Sequence, residues 1–423
     1  MIKAELIEHI FKAAGISRWN DYPKMVDLLE LDKQAHKAII AYLIAKFEDD
    51  VDMKYIVEAC IFDFLSRVVV TDIRPNVYHE ILKNKKDEMN KWVLAKLEPM
   101  IDDIENGEFL SRFKAYQNDK THEKEQLIVK AASYLATKWE FSIVYQSSKF
   151  LNDIDELKSK VDEEIEDYYE LIGVRKIAMN QKLAKIVDLS GRLRFQRRWA
   201  QTQRIPPTNV LGHMLVVAIF GYFYSLAVKA CDKRLENNFY CALFHDLPES
   251  LTRDIISPVK YGVNGLDEII SEYEMRLIDE NILPLIPQSY RSEFAYILGI
   301  KEEPNLDKTV YKKNEFENRI LNSQNKAISF EGSLGAKNED KFSPIDGKAL
   351  KYCDKLAAFV EAGLSISYGV KNTELINGLL GMDKFFENQP CVESVDFAKI
   401  CADIKEYFGL YKTLPQMTAA QTS

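Results

Sequence analysis

Apolar residues recur at three- and four-residue steps along most of the chain, and that spacing predicts helices. The stretches 35–50 (AHKAIIAYLIAKFEDD), 81–105 (ILKNKKDEMNKWVLAKLEPMIDDIE) and 214–230 (MLVVAIFGYFYSLAVKA) carry it most clearly. Period-two alternation is scarce. RVVV at 67–70 is the only short strand candidate, and its flanks look helical. The expected fold class is all-α. The most apolar run, 214–228, contains Gly221 and Ser225 and falls short of the roughly 18–20 residues a bilayer span needs, so it reads as a buried core helix.

Two segments break the pattern. Residues 152–187 are strongly charged and read as a solvated helix joining two halves. Residues 301–347 are rich in Lys, Asn, Glu, Gly and Ser with few periodic apolar positions, and read as a surface excursion or lid outside the core. The resulting division is 1–150, a connecting helix over 151–189, a second helical domain over 190–412 carrying the 301–347 excursion, and a frayed tail at 413–423.

The halves resemble one another. SRWNDYP, AHKAIIAYLIAKF, ACIFDFLSRVVVTDIRPNV and KAASYLATKWEF in the first answer QRRWAQTQR, GHMLVVAIFGYFYSL, ALFHDLPESLTRDIISPV and KALKYCDKLAAF in the second, in the same order. Arg18-Trp19 then aligns with Arg198-Trp199, His36 with His213, Asp63 with Asp246, and Thr71-Asp72-Ile73 lies close to Arg253-Asp254-Ile255. An ancient tandem duplication is the reading.

Composition narrows the class. The chain has 423 residues, 47% hydrophobic and 29% charged, which suits a soluble protein of two domains or one large helical body. A net charge of −9 argues against life on nucleic-acid phosphates. The six cysteines show no CxxC spacing and read as reduced thiols, and the N-terminal MIKAELIEHIFKAAG lacks a signal-peptide core. A cytoplasmic protein with no membrane and no nucleic-acid partner is expected.

Chemistry concentrates at HDLPE, 245–249. His245 and Asp246 offer a nitrogen and a carboxylate to one cation. His213 opens a strongly apolar helix, and Asp354 sits in another, KYCDKLAAFVEAG; both are costly places for polar groups without a partner. Two imidazoles and two carboxylates suit one divalent transition metal, Mn, Co, Fe, Ni or Zn. Glu249, three residues after Asp246 and four after His245, shares their face on a helix and is placed to orient or deprotonate the attacking water. Asp254 would serve the leaving oxygen or sit as a turn residue. Arg198 would clamp phosphate through its guanidinium, Trp199 would wall the sugar or base, and Lys260 would add charge near the phosphate.

The set His213…His245-Asp246…Asp354 resembles the H…HD…D signature of the HD-domain metal-dependent phosphohydrolases. Arg198-Trp199, the helix-opening His213, and Glu249, Thr252, Asp254, Pro258, Val259 and Lys260 after the HD pair are most similar to the bacterial HD-domain 5'-deoxynucleotidases. The resemblance covers roughly residues 190–365, and the N-terminal half and the excursion depart from it. Joined to the internal repeat it implies two HD-like helical domains in tandem, and by itself it implies a small-molecule nucleotide substrate, the possibility of a homodimer, and a role for Arg198-Trp199 in recognising the 5'-phosphate and the 2'-deoxy sugar. The alternatives are a triphosphate or diester substrate at the same centre, or a nucleotide sensor without turnover. In the N-terminal half Phe62 stands against His245, and a position near Ala136 stands against Asp354. The carboxylate of Glu249 is missing among Ser66 and Arg67, so that half is expected to be a degenerate, metal-free copy.

Overall fold

The computed structural model describes residues 2–255, 263–304, 309–370 and 372–411; Lys260 and the 413–423 tail lie outside them. Its helices are α1 (Ala4–Lys12), α2 (Glu30–Ala45), α3 (Met53–Val70), α4 (Pro75–Ile101), α5 (Glu108–Tyr116), α6 (Glu123–Ser148), α7 (Ile154–Glu163), α8 (Ile172–Ala178) and α9 (Lys182–Arg192). They continue with α10 (Val210–Ala227), α11 (Asp232–Phe244), the single turn α12 (Glu249–Thr252), α13 (Leu266–Leu277), α14 (Gln288–Ile297), α15 (Gly347–Ser367), α16 (Thr373–Asn388) and α17 (Phe397–Tyr407). The protein is all-α, as the periodicity predicts. The RVVV segment lies inside α3, where Val68 and Val70 are buried against the core.

Helix α10 is apolar on every face, and every residue from Val210 to Leu226 is buried. It is long and apolar enough to cross a membrane by composition, yet 94% of it lies buried inside the protein. Helix α2 packs along it from the N-terminal half, with α11, α15 and α6 completing one continuous core. Gly212 permits the approach of α2: a Cβ there would meet Leu31 Cγ at 2.9 Å and Asp32 Oδ1 at 3.0 Å.

Buried polar groups fasten this seam. Arg194 donates to Glu140 Oε1 at 2.9 Å and lies 3.1 Å from His36 Nδ1, while His36 Nε2 bonds the Val187 carbonyl at 2.8 Å. Burial, then Arg194, pulls the His36 pKa down to about 3, so the ring is a neutral structural link. Asn209, just ahead of α10, donates to Asp32 Oδ2 at 2.7 Å. Burial outweighs this bond and the nearby Arg194 and raises the Asp32 pKa from 3.8 to about 6. A folded-state pKa above the unfolded one means stability is lost as pH rises from about 4 to about 6 and stays lost above. Asp32→Asn should therefore raise the melting temperature at about pH 7, by up to roughly 3 kcal/mol of stability, with the gain vanishing near pH 4. Equal gains at both pH values would contradict this.

Two expectations need correction. The segment 151–189 is not one connecting helix. It breaks into α7, a 3-10 turn and α8, with α9 beginning at Lys182. Ile154, Val174, Ile177 and Ile186 are buried, and a Cβ on Gly173 would fall 2.5 Å from Ile44 Cα, so the segment packs tightly on α2. The charged residues that suggested a solvated rod occupy only its outer face.

The 301–347 excursion is not confined to the surface. Strands β1 (Ile300–Pro304) and β2 (Thr309–Lys313) pair antiparallel. Strands β3 (Asn318–Leu321), β4 (Ala327–Ser329) and β5 (Ile345–Asp346) form a three-stranded sheet in the order β4-β3-β5, with Arg319 opposite Ile345. Two short strands, β6 (Cys391–Val392) and β7 (Val395–Asp396), precede α17. Arg319 is 1% exposed and donates to the carbonyls of Tyr296, Ile297, Asn314, Glu315 and Glu317. Asp346 takes a bidentate bond from the buried Arg234 on α11, at 2.7 and 2.6 Å. These pairs lock the excursion onto α11 and fix where α15 starts.

Candidate metal centre

The centre forms where α10, the end of α11 and α15 converge. His213 is four residues beyond Asn209, which pairs with Arg197 across the loop that carries Arg198 and Trp199. Its ring is fully buried, with Nε2 at 2.9 Å from Asp354 Oδ1 on α15. His245 directly follows α11. Its Nδ1 lies 2.6 Å from the Ala242 carbonyl, which orients the ring so that Nε2 faces the centre. That Nε2 is buried without a hydrogen bond, 3.1 Å from Asp246 Oδ2. Donor atoms of His213, His245 and Asp246 all lie within 4.8 Å of one another.

The field is strongly anionic. Burial lowers the His245 pKa, but Asp246 and then Asp354 push it up to about 8. Burial opposes charge on Asp246 too, yet His245, His213 and Arg198 hold its carboxyl far below the usual range. Asp354 is lowered likewise, through its bond to His213. Converging carboxylates beside imidazole nitrogens are an environment that a divalent cation, displacing the imidazole proton, would stabilise.

Arg198 and Trp199 reach the centre together. Arg198 lies 3.8 Å from Asp246 Oδ2 and 3.4 Å from Glu361 Oε2. Trp199, at φ 56°, donates its indole N–H to the same Glu361 oxygen at 2.9 Å, and its ring tip fits over Gly378 of α16, where a Cβ would come within 2.7 Å. His245 and Asp246 do not lie on a regular helix with Glu249. Residues 245–248 form a turn closed by Glu249 N–H to Asp246 O at 3.0 Å, because Pro248 cannot donate to Phe244. Glu249 is buried and opens α12. Gln196 ties the segment back, donating to the Glu249 carbonyl at 3.0 Å and accepting from the Asp254 N–H at 3.1 Å. Asp254 follows Arg253, which has φ 65°, and adds to the charge field at Arg198.

The sequence reading missed Glu361. It lies two turns beyond Asp354 on the same face of α15 and is fully buried. Its Oε1 accepts from Thr208 Oγ1 at 2.6 Å and stands 3.4 Å from His213 Nδ1, and Arg198 and Arg204 hold its carboxyl well below the ordinary range against burial. A carboxylate behind a ligand-type imidazole fixes its tautomer and direction. The available signal was the one used for Asp354: a carboxylate in an apolar helix, seven residues on. The excursion also contributes. Phe316 stands 6.2 Å from the His245 ring, and Lys313 lies in the field of Asp246. A cavity of about 720 Å³ opens alongside, lined by Phe316, Lys348, Lys351, Tyr352 and Phe385, with Lys351 one helical turn from Asp354.

Comparisons with known proteins find similarity in the part of the chain that carries this centre. Residues 190–382 match a family model described as an HD domain. Over 145 residues the chain is 28% identical to a 5'-deoxynucleotidase of Pasteurella multocida, covering 32% of this chain and 66% of that protein. A 5'-deoxynucleotidase of Vibrio parahaemolyticus is 29% identical over 128 residues, covering 29% of this chain and 64% of that one. The chain thus spans just under two thirds of the length of these curated relatives. A crystal structure described as an HD-domain phosphohydrolase from Listeria innocua superposes with a TM-score of 0.40 at 20% identity, covering 57% of this chain and 98% of that one. Residues 190–382 thus resemble an HD domain, and within that region the chain is similar to proteins named 5'-deoxynucleotidase.

Proposed function

We propose that the chain is a metal-dependent phosphohydrolase that releases phosphate from (deoxy)nucleoside 5'-monophosphates. The observation that carries this is the buried convergence of His213, His245 and Asp246, with Asp354 against His213 and a histidine nitrogen left without a hydrogen bond. The donor set fits one divalent transition metal, held by His213, His245, Asp246 and Asp354. Such a metal supplies Lewis acidity toward a phosphoryl oxygen and lowers the pKa of bound water.

The chain's own groups do the rest. Arg198, steered by Glu361, binds the phosphoryl oxygens. Trp199 is fixed by Glu361 and Gly378 and presents a wall to the sugar or base. Glu249, anchored through Gln196, takes the proton of the attacking water, and Asp254 delivers a proton to the leaving 5'-oxygen.

The test is phosphate release by the Mn- or Co-loaded protein across deoxynucleotides, ribonucleotides, triphosphates and diesters. Release from monophosphates should dominate, and no release from any of them by a demonstrably metallated chain overturns the reading. Glu249→Gln should lower kcat about 10²–10³-fold while metal content stays at the wild-type level. A loss of metal in that variant would mean that Glu249 is a ligand and not the base.

A further inference from the structure

The backbone of the N-terminal half repeats the geometry around the centre with different chemistry. Trp19 and Trp199 both adopt left-handed φ, 57° and 56°, and so do Thr71 and Arg253, at 63° and 65°. Each half has one isolated bridge ahead of its buried helix, Ser17 to Leu29 and Arg197 to Asn209. Arg18 and Trp19 both donate to Glu140 Oε2, at 2.8 and 3.1 Å, as Arg198 and Trp199 both reach Glu361 Oε2. Thr71 N–H closes on Arg67 O at 2.9 Å where Arg253 N–H closes on Glu249 O at 2.8 Å.

These landmarks set a register that differs from the letter match of His36 with His213. Lys33 stands four residues after Leu29, as His213 stands four after Asn209. Ser133 stands seven before Glu140, as Asp354 stands seven before Glu361. Lys33 Nζ donates to Ser133 Oγ at 2.6 Å, in the place of the His213–Asp354 contact at 2.9 Å. Counting back from Thr71 and Arg253, Asp63 stands for His245, Phe64 for Asp246 and Arg67 for Glu249.

The pattern of change is selective. The Arg-Trp pair and its buried carboxylate are kept. The metal-ligand positions become Lys33, Asp63, Phe64 and Ser133, and the water-handling position becomes Arg67. Arg18, Lys33, Lys37 and Arg67 gather here, set against the carboxylates of Glu30, Glu140, Asp63 and Asp72. Lys37 lies 2.9 Å from Asp63, and Arg67 lies 3.5 Å from Glu30 and 3.3 Å from Asp72. Burial, then Arg18, draws the Lys33 ammonium down to about 7 against Glu30, so an incoming anion would find a desolvated cation to stabilise. The site opens to solvent at Asp63, whose side chain is 39% exposed and also accepts from Tyr116 at 2.7 Å.

We propose that this N-terminal centre is a second copy of the site converted from hydrolysis to recognition, binding a phosphomonoester without a metal and without turnover. The phosphate exchanges for the Asp63 carboxylate beside Lys37 and is gripped by Arg67. Lys33 and Arg18 supply charge from behind, and no bond is broken because Lys33, Phe64 and Ser133 at the ligand positions cannot assemble a cation site and Arg67 replaces the carboxylate that would activate water. The inference rests on reading the Arg198–Trp199 centre as a phosphate-handling site.

Calorimetry in EDTA tests it, with inorganic phosphate and deoxyadenosine 5'-monophosphate as probes and the C-terminal site silenced by Arg198→Ala and Asp354→Ala. One binding event per chain should remain. Adding Arg67→Glu should weaken it at least tenfold, and Arg67→Lys should largely keep it. No binding in the silenced chain, or unchanged binding with Arg67→Glu, overturns the proposal. Should the silenced chain fail to melt cooperatively, metal titration of the unaltered protein decides: saturation at one ion per chain supports the converted copy, and two ions overturn it. Both readouts are independent of turnover, so a failure of the proposed hydrolysis leaves them interpretable.

Discussion

Asp354→Ala should leave the protein folded but unable to retain its metal, and phosphate release should fall at least about 10³-fold. Asp354 enters the centre from α15, whereas the other three donors come from α10 and the turn after α11, so it closes the ring. Its Oδ1 lies 2.9 Å from His213 Nε2, the atom that would bind the ion. Removing it takes one of two carboxylates from a four-donor set. Its side chain is 28% exposed, so little apolar packing is lost. The fold cost should be small because Glu361 still backs His213 from the other side. Metal content by elemental analysis, measured beside phosphate release, separates the possibilities: full occupancy in the variant would refute the ligand assignment. Phe62→Ala makes the contrast. Phe62 packs against Phe109 and Phe113 and offers no ligand atom, so this change should cost stability and leave metal content alone.

The helical class was legible from the three- and four-residue apolar period, and the candidate quartet from a separate physical reason: polar residues inside apolar-periodic helices are expensive, and His213 and Asp354 stand out against such helices. The same logic applied seven residues on would have reached Glu361, but a single glutamate near a helix end resembles a solvated one until Trp199, Thr208 and His213 are seen around it. The excursion was misread because Arg319 is buried by backbone carbonyls, which carry no sequence signature. Its strands are two to five residues long and too polar to show alternation. The 151–189 segment looked solvated because charge outnumbers apolar residues there, although a few isoleucines and Gly173 suffice to dock it. Under the proposed correspondence of the two halves, matching His36 with His213 displaces the register by three positions, almost one helical turn. Only backbone landmarks such as the left-handed Trp19 and Thr71 fix it.

Glu361→Gln should weaken metal binding about 10–100-fold and lower stability by about 3–5 kcal/mol, although Glu361 touches neither metal nor substrate in the proposed mechanism. Glu361 is a positioning residue: one buried carboxylate holds His213 Nδ1, the Trp199 indole, the Thr208 hydroxyl and the guanidiniums of Arg198 and Arg204. Glutamine keeps the shape and loses the charge. Arg204, with a side chain only 3% exposed, would then lie buried without its counter-ion, which is the source of the stability loss. His213 would lose the carboxylate charge 3.4 Å from its Nδ1, and with it the bias that puts the proton on that nitrogen and leaves the one facing Asp354 for the metal. The Arg198–Trp199 pair would also loosen, raising KM for the phosphate ester more than kcat falls once metal is saturating. A purely structural role for Glu361 would lower the melting temperature while leaving metal affinity and KM at wild-type values. Thermal melts, metal titration and kinetics at saturating metal on the same preparation distinguish the two.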